Sequence, residues 1–154
     1  MTVQQQRHSV AADSLYDRDI IAWANEQARL LRAGQLNRID IEHIAEEIED
    51  VGKSEQRELA SRMAVLLAHL IKWQFQPERR GSSWQRTIRE QRNSIARRLR
   101  RTPSLATTLT DPDGWADAWG DAIAIAATET GHVTFPDACP WDLTEIQDSN
   151  WLPE

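Results

Sequence analysis

The stretch "LASRMAVLLAHLIKWQF", residues 59–75, decides the fold class of this chain. Its apolar residues recur at helical spacing on two faces, one comprising Leu59, Met63, Leu66, Leu70 and Trp73 and the other Leu67, Ile71 and Phe75. A helix that is apolar on most of its circumference is enclosed by other elements. The pattern therefore predicts a helix over about 54–75 at the centre of a bundle.

The flanking sequence predicts further helices, because apolar residues keep the same spacing between capping and breaking residues. We expect Gly52 to break or kink the chain before the central helix, and Ser82 or Ser83 to cap the helix after it. No alternating strand pattern occurs. The prediction is an all-α fold: a single-domain helical bundle of about five or six helices over 14–154 with a C-terminal capping tail, preceded by a disordered arm at 1–13 that contains His8. The other expected helices cover about 14–33, 40–51, 83–101, 102–110 and 111–130, with a last turn at 142–146.

Composition excludes several broad classes of protein. The 154 residues are 40% hydrophobic and 27% charged, which is typical of globular rather than disordered chains. No apolar run approaches the roughly 18 residues of a spanning helix, so no membrane association is predicted. The N-terminus lacks the apolar segment of a secretory signal, and the single Cys139 permits no internal disulfide. These features favour a cytoplasmic location.

Charge is strongly segregated along the sequence. Residues 102–154 hold ten acids and no Lys or Arg, whereas 78–101 hold nine arginines and two glutamates. One hypothesis is that the exposed arginines of the helix at 86–101 bind nucleic acid. The pI of about 5.2 and the absence of a reading motif favour ion pairing within or between chains instead. The arginines in question are Arg86, Arg89, Arg97, Arg100 and Arg101.

The stretch "IEHIAEEIED", residues 41–50, holds five carboxylates and a histidine. Its helical stripe of Ile41, Ile44, Ile48 and Val51 is predicted to be buried, which turns His43, Glu46 and Asp50 outward. A metal-dependent hydrolase that uses His43, Glu46, Glu47 or His69 is one alternative. The stretch lacks the convergent Glu-x-x-His pairs of di-metal bundles, so no metal or other cofactor is predicted. A solvated or ion-paired face is the preferred interpretation.

Three successive predicted helices bring polar residues into a position to converge. The first interpretation of such a group is a buried polar network that fixes helix register. The alternative is a small anion or carboxylate site. No catalytic residue is assigned. The candidates are Glu46, Glu49, His69, Trp84, Arg89 and Arg92.

Seven tryptophans in a chain of this length are many. Five of them lie on helical stripes, but Trp141 and Trp151 lie in the tail and need to be covered by the bundle or by a partner. Docking of the tail onto its own bundle is the preferred interpretation.

Several blocks of sequence follow one another in a characteristic order: "LYDRDIIAWANEQARLLRAG", "IDIEHIAEEIEDVGKSE", "LLAHLIKWQFQPERR", "SWQRTIREQR", "PSLA", "TFPDACPW" and "LPE". In this order the chain resembles a bacterial family, domain of unknown function twenty-nine, from about Leu15 to Pro153. The resemblance implies a small helical protein and brings no activity, cofactor or catalytic residue with it.

The functional prediction is a non-enzymatic protein-interaction module, which forms a homo-oligomer (a homodimer in the first place) or binds another protein. It rests on the absence of a catalytic spacing, the excess of tryptophan and the segregated charge. The alternatives are the metal-dependent hydrolase and nucleic-acid binding by the arginine-rich helix.

Overall fold

A computed structural model describes residues 14–132 and 134–154. The predicted disordered arm at 1–13, with His8, lies outside the described residues. All regular structure in the described residues is helical, which confirms the all-α prediction. None of the described helices is long and apolar enough to cross a membrane. The helices are α1 (Leu15–Arg18), α2 (Ile20–Arg32), α3 (Ile41–Phe75), α4 (Ser82–Arg101), α5 (Ala106–Thr110), α6 (Pro112–Thr130) and α7 (Leu143–Gln147), with short 3-10 turns at Pro77–Arg79 and Pro103–Leu105.

The residues form two compact units, one ending at Val51 and the other comprising Gly52–Glu154. The boundary falls inside α3. Unit 1 contains α1, α2 and the first part of α3, and unit 2 contains the remaining elements. The expectation that 14–154 form a single domain stays a prediction.

A break or a kink was predicted at Gly52. The break is wrong, because α3 is one helix of 35 residues, and the kink stays a prediction. Glycine costs about 1 kcal/mol relative to alanine in a helix. Good helix formers surround Gly52, including Lys53, Glu55 and Gln56, and offset that cost.

Unit 2 is built around the second part of α3, as the sequence predicts. Leu59, Met63, Leu66 and Leu70 have no exposed surface. Phe75 is the exception to the prediction, since it is 39% exposed and only packs edge to face on Phe135. The other elements of unit 2 each bury side chains in the same core, namely Ile88 and Ile95 of α4, Leu105, Leu109 of α5, Trp119, Ala122 and Ala126 of α6, and Ile146 of α7.

The C-terminal tail packs back on unit 2, which confirms the predicted docking. The rings of Trp119 and Trp141 meet edge to face at 5.8 Å, and Trp141 meets Trp151 at 5.7 Å. The indole nitrogen of Trp119 also donates to the Pro136 carbonyl at 2.9 Å. Asp142 and Glu145 form a capping box at the start of α7, where a last helical turn was predicted.

Capping residues define both ends of α6, whereas the start of α4 lacks the cap that was predicted. Asp111 caps α6 through the Gly114 amide, and Gly131 closes it at φ 74°. The expected serine cap of α4 is wrong, since the cap position is Gly81 and no side chain caps the helix. Gly81 is fully extended (φ −165°, ψ −178°), so the chain turns into the helix one residue earlier than predicted.

Unit 1 contains an antiparallel hairpin of α2 and the first part of α3. Trp23 and Leu30 are its buried residues on α2, at 6% and 3% exposure. The predicted burial of the α3 stripe is wrong for three of its four residues, and Ile44 is partly buried. Ile41, Ile48 and Val51 are 64–67% exposed, and His43 instead packs against aromatic side chains of the unit.

Candidate functional site

Asp40, immediately before α3, is the centre of a polar cluster in unit 1. Its carboxylate accepts hydrogen bonds from the Trp23 indole at 3.0 Å and from Nδ1 of His43 at 2.6 Å. It also accepts from the His43 backbone amide at 3.4 Å, as a helix cap does. Its backbone amide donates to the Gln27 side chain at 2.7 Å. One carboxylate thus connects α2 to the start of α3.

Tyr16 of α1 covers this cluster. Its ring stacks on the His43 imidazole at 3.9 Å and meets the Trp23 ring edge to face at 4.8 Å. Its hydroxyl donates to the Glu47 carboxylate at 2.6 Å. That bond, together with partial burial and the negative charge of Glu47, raises the pKa of Tyr16 to about 12. The tyrosine is therefore a stable donor over the physiological pH range.

The same cluster perturbs its histidine and its aspartate. The bond to Asp40 raises the pKa of His43 above its usual 6.5, although desolvation opposes it. Desolvation raises the pKa of Asp40, but the bonds from His43 and Trp23 outweigh it and the net shift is downward. The charged pair of imidazolium and carboxylate is thus favoured in the folded state.

Two of the metal-ligand candidates, His43 and Glu47, are engaged in this cluster by Asp40 and Tyr16. Glu46 is exposed beside them, and His69 lies in unit 2. The described residues bring together no group of three His, Cys, Asp or Glu side chains that could hold a metal ion. Sequence reasoning did not select Asp40 or Tyr16 as site residues, although Tyr16 is the one tyrosine of the chain.

A second polar cluster lies in unit 2 around Lys72, which is only 6% exposed. Its ammonium group lies 2.5 Å from the Glu129 carboxylate of α6 and 5.2 Å above the Trp84 ring. It also lies 3.4 Å from Nε2 of His69. His69 and Trp84, both predicted network residues, thus meet around a lysine that the sequence analysis did not single out.

His69 is held by its own helix. Its Nδ1 lies 2.9 Å from the Val65 carbonyl. Burial lowers its pKa, which favours the neutral ring. In that form Nδ1 donates to Val65 and Nε2 presents a lone pair toward Lys72.

Arg92 of α4 anchors the tail. It is 7% exposed, and its Nε and Nη2 donate to the carbonyls of Ile146 (2.7 Å) and Trp151 (2.8 Å). Carbonyl oxygens of the tail are thus the hydrogen-bond acceptors of this predicted network residue. Burial lowers the pKa of Arg92, and Asp148 opposes that shift. A convergence of Glu46 and Glu49 with the four network residues of unit 2 stays a prediction.

A cavity of about 240 Å³ opens beside Arg92, between α4 and the tail. It brings together the two predicted arginines of the polar network with residues that the sequence analysis did not select. The lining residues are Gln85, Ile88, Arg89, Arg92, Asn93, Ser149, Asn150 and Leu152.

Ion pairing of α4 with α3 occurs, but not through the expected arginines. Arg98 donates to Glu55 at 3.1 Å and to Glu58 at 3.3 Å. The five arginines proposed for nucleic-acid contact are exposed on the same helix.

The hairpin of unit 1 carries an apolar surface on its exposed side, which we call the outer face. Exposure reaches 71% at Ile21 and 67% at Ile48 and Val51. Part of this surface forms an open groove of about 280 Å³ between the two helices. The outer face comprises Ile21, Ala24, Ala28 and Leu31 of α2 and Ile41, Ile44, Ile48 and Val51 of α3.

These features define a small all-α protein with two internal polar clusters and an exposed apolar hairpin face. The model of the family "Domain of unknown function DUF29" matches residues 15–152, so the chain belongs to that family. No curated protein and no solved structure matches the chain.

Proposed function

We propose that the protein is a non-catalytic interaction module whose outer face binds the outer face of a second copy. The observation that carries this proposal is the exposed apolar stripe on both helices of the hairpin. A two-helix hairpin can bury only one side of each helix, so a second apolar side requires another partner. The proposed compartment is the cytoplasm.

The spacing of the stripes supports a helical partner. Ile21, Ala24, Ala28 and Leu31 are separated by three, four and three residues, and so are Ile41, Ile44, Ile48 and Val51. This alternation is the pattern of helices that pack at shallow angles in four-helix bundles and coiled coils. Two hairpins supply the four helices of such a bundle.

The charges support a second copy and indicate its orientation. Residues 20–32 carry Arg29 and Arg32 with one acid, Glu26, whereas 41–51 carry five carboxylates and no Lys or Arg. A two-fold axis that places α2 of one copy against α3 of the other brings opposite charges together. Packing α3 on α3 would place the carboxylates against each other, which costs free energy.

The size of the outer face sets the expected affinity. The 13 residues of α2 extend about 20 Å at about 1.5 Å per residue. Two helices about 10 Å apart give a similar width. Such a face covers about 400 Å² per copy, which is the size of weak and transient interfaces, so we expect a dissociation constant in the micromolar range or above.

Sedimentation velocity across the micromolar range tests the proposal. The wild-type chain should pass from monomer to dimer, and Ile48→Asp should raise the dissociation constant about a hundredfold, because the change occurs twice and buries two charges. Leu36→Asp is the matched control, since Leu36 is 61% exposed but lies outside the outer face. Circular dichroism checks that both variants keep their helices.

Two results would contradict the proposal. One is a monomer at all concentrations. The other is a dimer that Ile48→Asp and Leu36→Asp weaken equally, because that dimer would use another surface.

A further inference from the structure

We propose that the cavity between α4 and the C-terminal tail binds a small organic carboxylate, with Arg89 and Arg92 as its cationic partners. The site lies wholly in unit 2 and shares no residue with the outer face. The two proposals can therefore fail independently.

Charge balance is the first argument. Arg92 is buried, and its two hydrogen bonds go to carbonyl oxygens, which bring no negative charge. A buried cation is stable when a counter-charge lies near it. Asp148 acts on Arg92 through space but does not line the cavity. The eight lining residues include two arginines and no carboxylate. An anion in the cavity would add a negative charge in direct contact with the two guanidinium groups.

The geometry of the arginines is the second argument. Arg89 and Arg92 are three residues apart on α4, so they project from the same side of the helix. The tail carbonyls fix the plane of the Arg92 guanidinium, whereas Arg89 is exposed and free to close on a ligand. A planar guanidinium matches a carboxylate through two parallel hydrogen bonds. A fixed group and an adjustable one suit capture of a small ligand from solvent.

The rest of the lining defines the body of the ligand. Ile88 and Leu152 provide apolar surface, and the amides of Gln85, Asn93 and Asn150 provide neutral donors and acceptors. A volume of about 240 Å³ equals that of about eight water molecules in the liquid. A monocarboxylate with a short aliphatic stem fits both the volume and the mixed lining.

Nuclear magnetic resonance of the full-length protein tests the site with sodium pentanoate as the probe. The side-chain amide signals of Asn93 and Asn150 should shift saturably, with a dissociation constant in the millimolar range that fits so small a ligand. Pentanol, which has the stem without the charge, should cause no saturable shift of these signals. Inorganic phosphate, which has charge without the stem, should bind at least about tenfold more weakly than pentanoate.

Arg89→Ala should weaken pentanoate binding about tenfold, since it removes one charge-assisted contact. Arg86→Ala is the control, because Arg86 is an exposed arginine of the same helix that does not line the cavity. Equal effects of the two variants, unsaturable shifts, or phosphate binding as tight as pentanoate binding would each overturn the proposal. Sedimentation of Arg89→Ala should match the wild type, which separates this site from dimerisation.

Discussion

The Tyr16 hydroxyl donates a 2.6 Å hydrogen bond to the Glu47 carboxylate, so the only tyrosine of the chain connects α1 to α3. The bond requires the protonated phenol. The contribution of this bond to stability is therefore complete below the unfolded pKa of 10, and it is lost as the pH rises through about 12.

Alkaline titration of the phenolate absorbance should show Tyr16 ionising near pH 12. Glu47→Gln removes both the ionic acceptor and the nearest negative charge, so the pKa should return toward 10. Glu46→Gln is the control and should lower the pKa by less, because Glu46 acts on the phenol only through space. Equal shifts in the two variants would show that general charge rather than this bond sets the pKa.

His43 should titrate above 6.5 in the folded protein, because its imidazolium is bonded to Asp40. The stabilisation from this raised pKa is complete below pH 6.5 and is lost as the pH rises through the folded value. Asp40→Asn should bring the pKa of His43 back toward 6.5, measured from its ring proton signals. Glu42→Gln removes a carboxylate of the same helix that does not contact His43, and it should leave the value unchanged. If the pKa of His43 stayed equally high in Asp40→Asn, the bond to Asp40 would be excluded as the cause of the shift.

Arg92→Ala should destabilise unit 2 by about 3 kcal/mol, because two charge-assisted bonds to tail carbonyls are lost. Urea unfolding followed by tryptophan fluorescence measures the change. Arg92→Lys keeps the charge but not the fork of donors, so an intermediate loss is expected. The exposed Arg86→Ala should stay within about 0.5 kcal/mol of the wild type. If Arg92→Ala lowered the stability as little as Arg86→Ala does, the tail would be held by its tryptophans and not by Arg92.

The ion pair of Lys72 and Glu129 should respond unequally to removal of its two partners. Glu129→Gln leaves the buried ammonium without its counter-charge, and we expect a loss of about 1–2 kcal/mol, reduced from the fully buried case because Glu129 is half exposed. Lys72→Met replaces the ammonium with apolar volume and should cost less. Glu90→Gln, an exposed change on α4, is the control in the same urea assay. A larger loss for Lys72→Met than for Glu129→Gln would contradict this account.

The central helix was predictable because residues 59–73 are apolar on most sides, and a helix of that kind is stable only when enclosed. The stripe from Ile41 to Val51 has the same spacing, yet three of its four residues are exposed. A periodic stripe identifies an apolar face but not the element that covers it. The spacing alone therefore could not distinguish burial within the chain from burial against a partner.

The polar clusters were predictable only in part, for a similar reason. His69 was recognisable as a polar group on an apolar helix. Its neighbour Lys72 pairs with Glu129, 57 positions away, and nothing local marks that pairing. Arg92 was expected to meet a carboxylate, since charge complementarity is visible in a sequence. Its actual acceptors are backbone carbonyls, which every residue has and which no sequence pattern distinguishes.

Gly52 allows a direct test between the break or kink that the sequence predicts and the continuous helix of the structure. An added Cβ at Gly52 would meet no atom within 4 Å, and the residue lies within a continuous helix. Gly52→Ala should therefore raise the free energy of unfolding by about 0.5–1 kcal/mol, since alanine loses less backbone freedom on folding. Gly131→Ala has equal space but a φ of 74°, so it should lower that energy by about 1 kcal/mol. Thermal unfolding of both variants measures whether each change raises or lowers the stability. Destabilisation by Gly52→Ala would mean that the backbone departs from a regular helix there, as the sequence alone predicts.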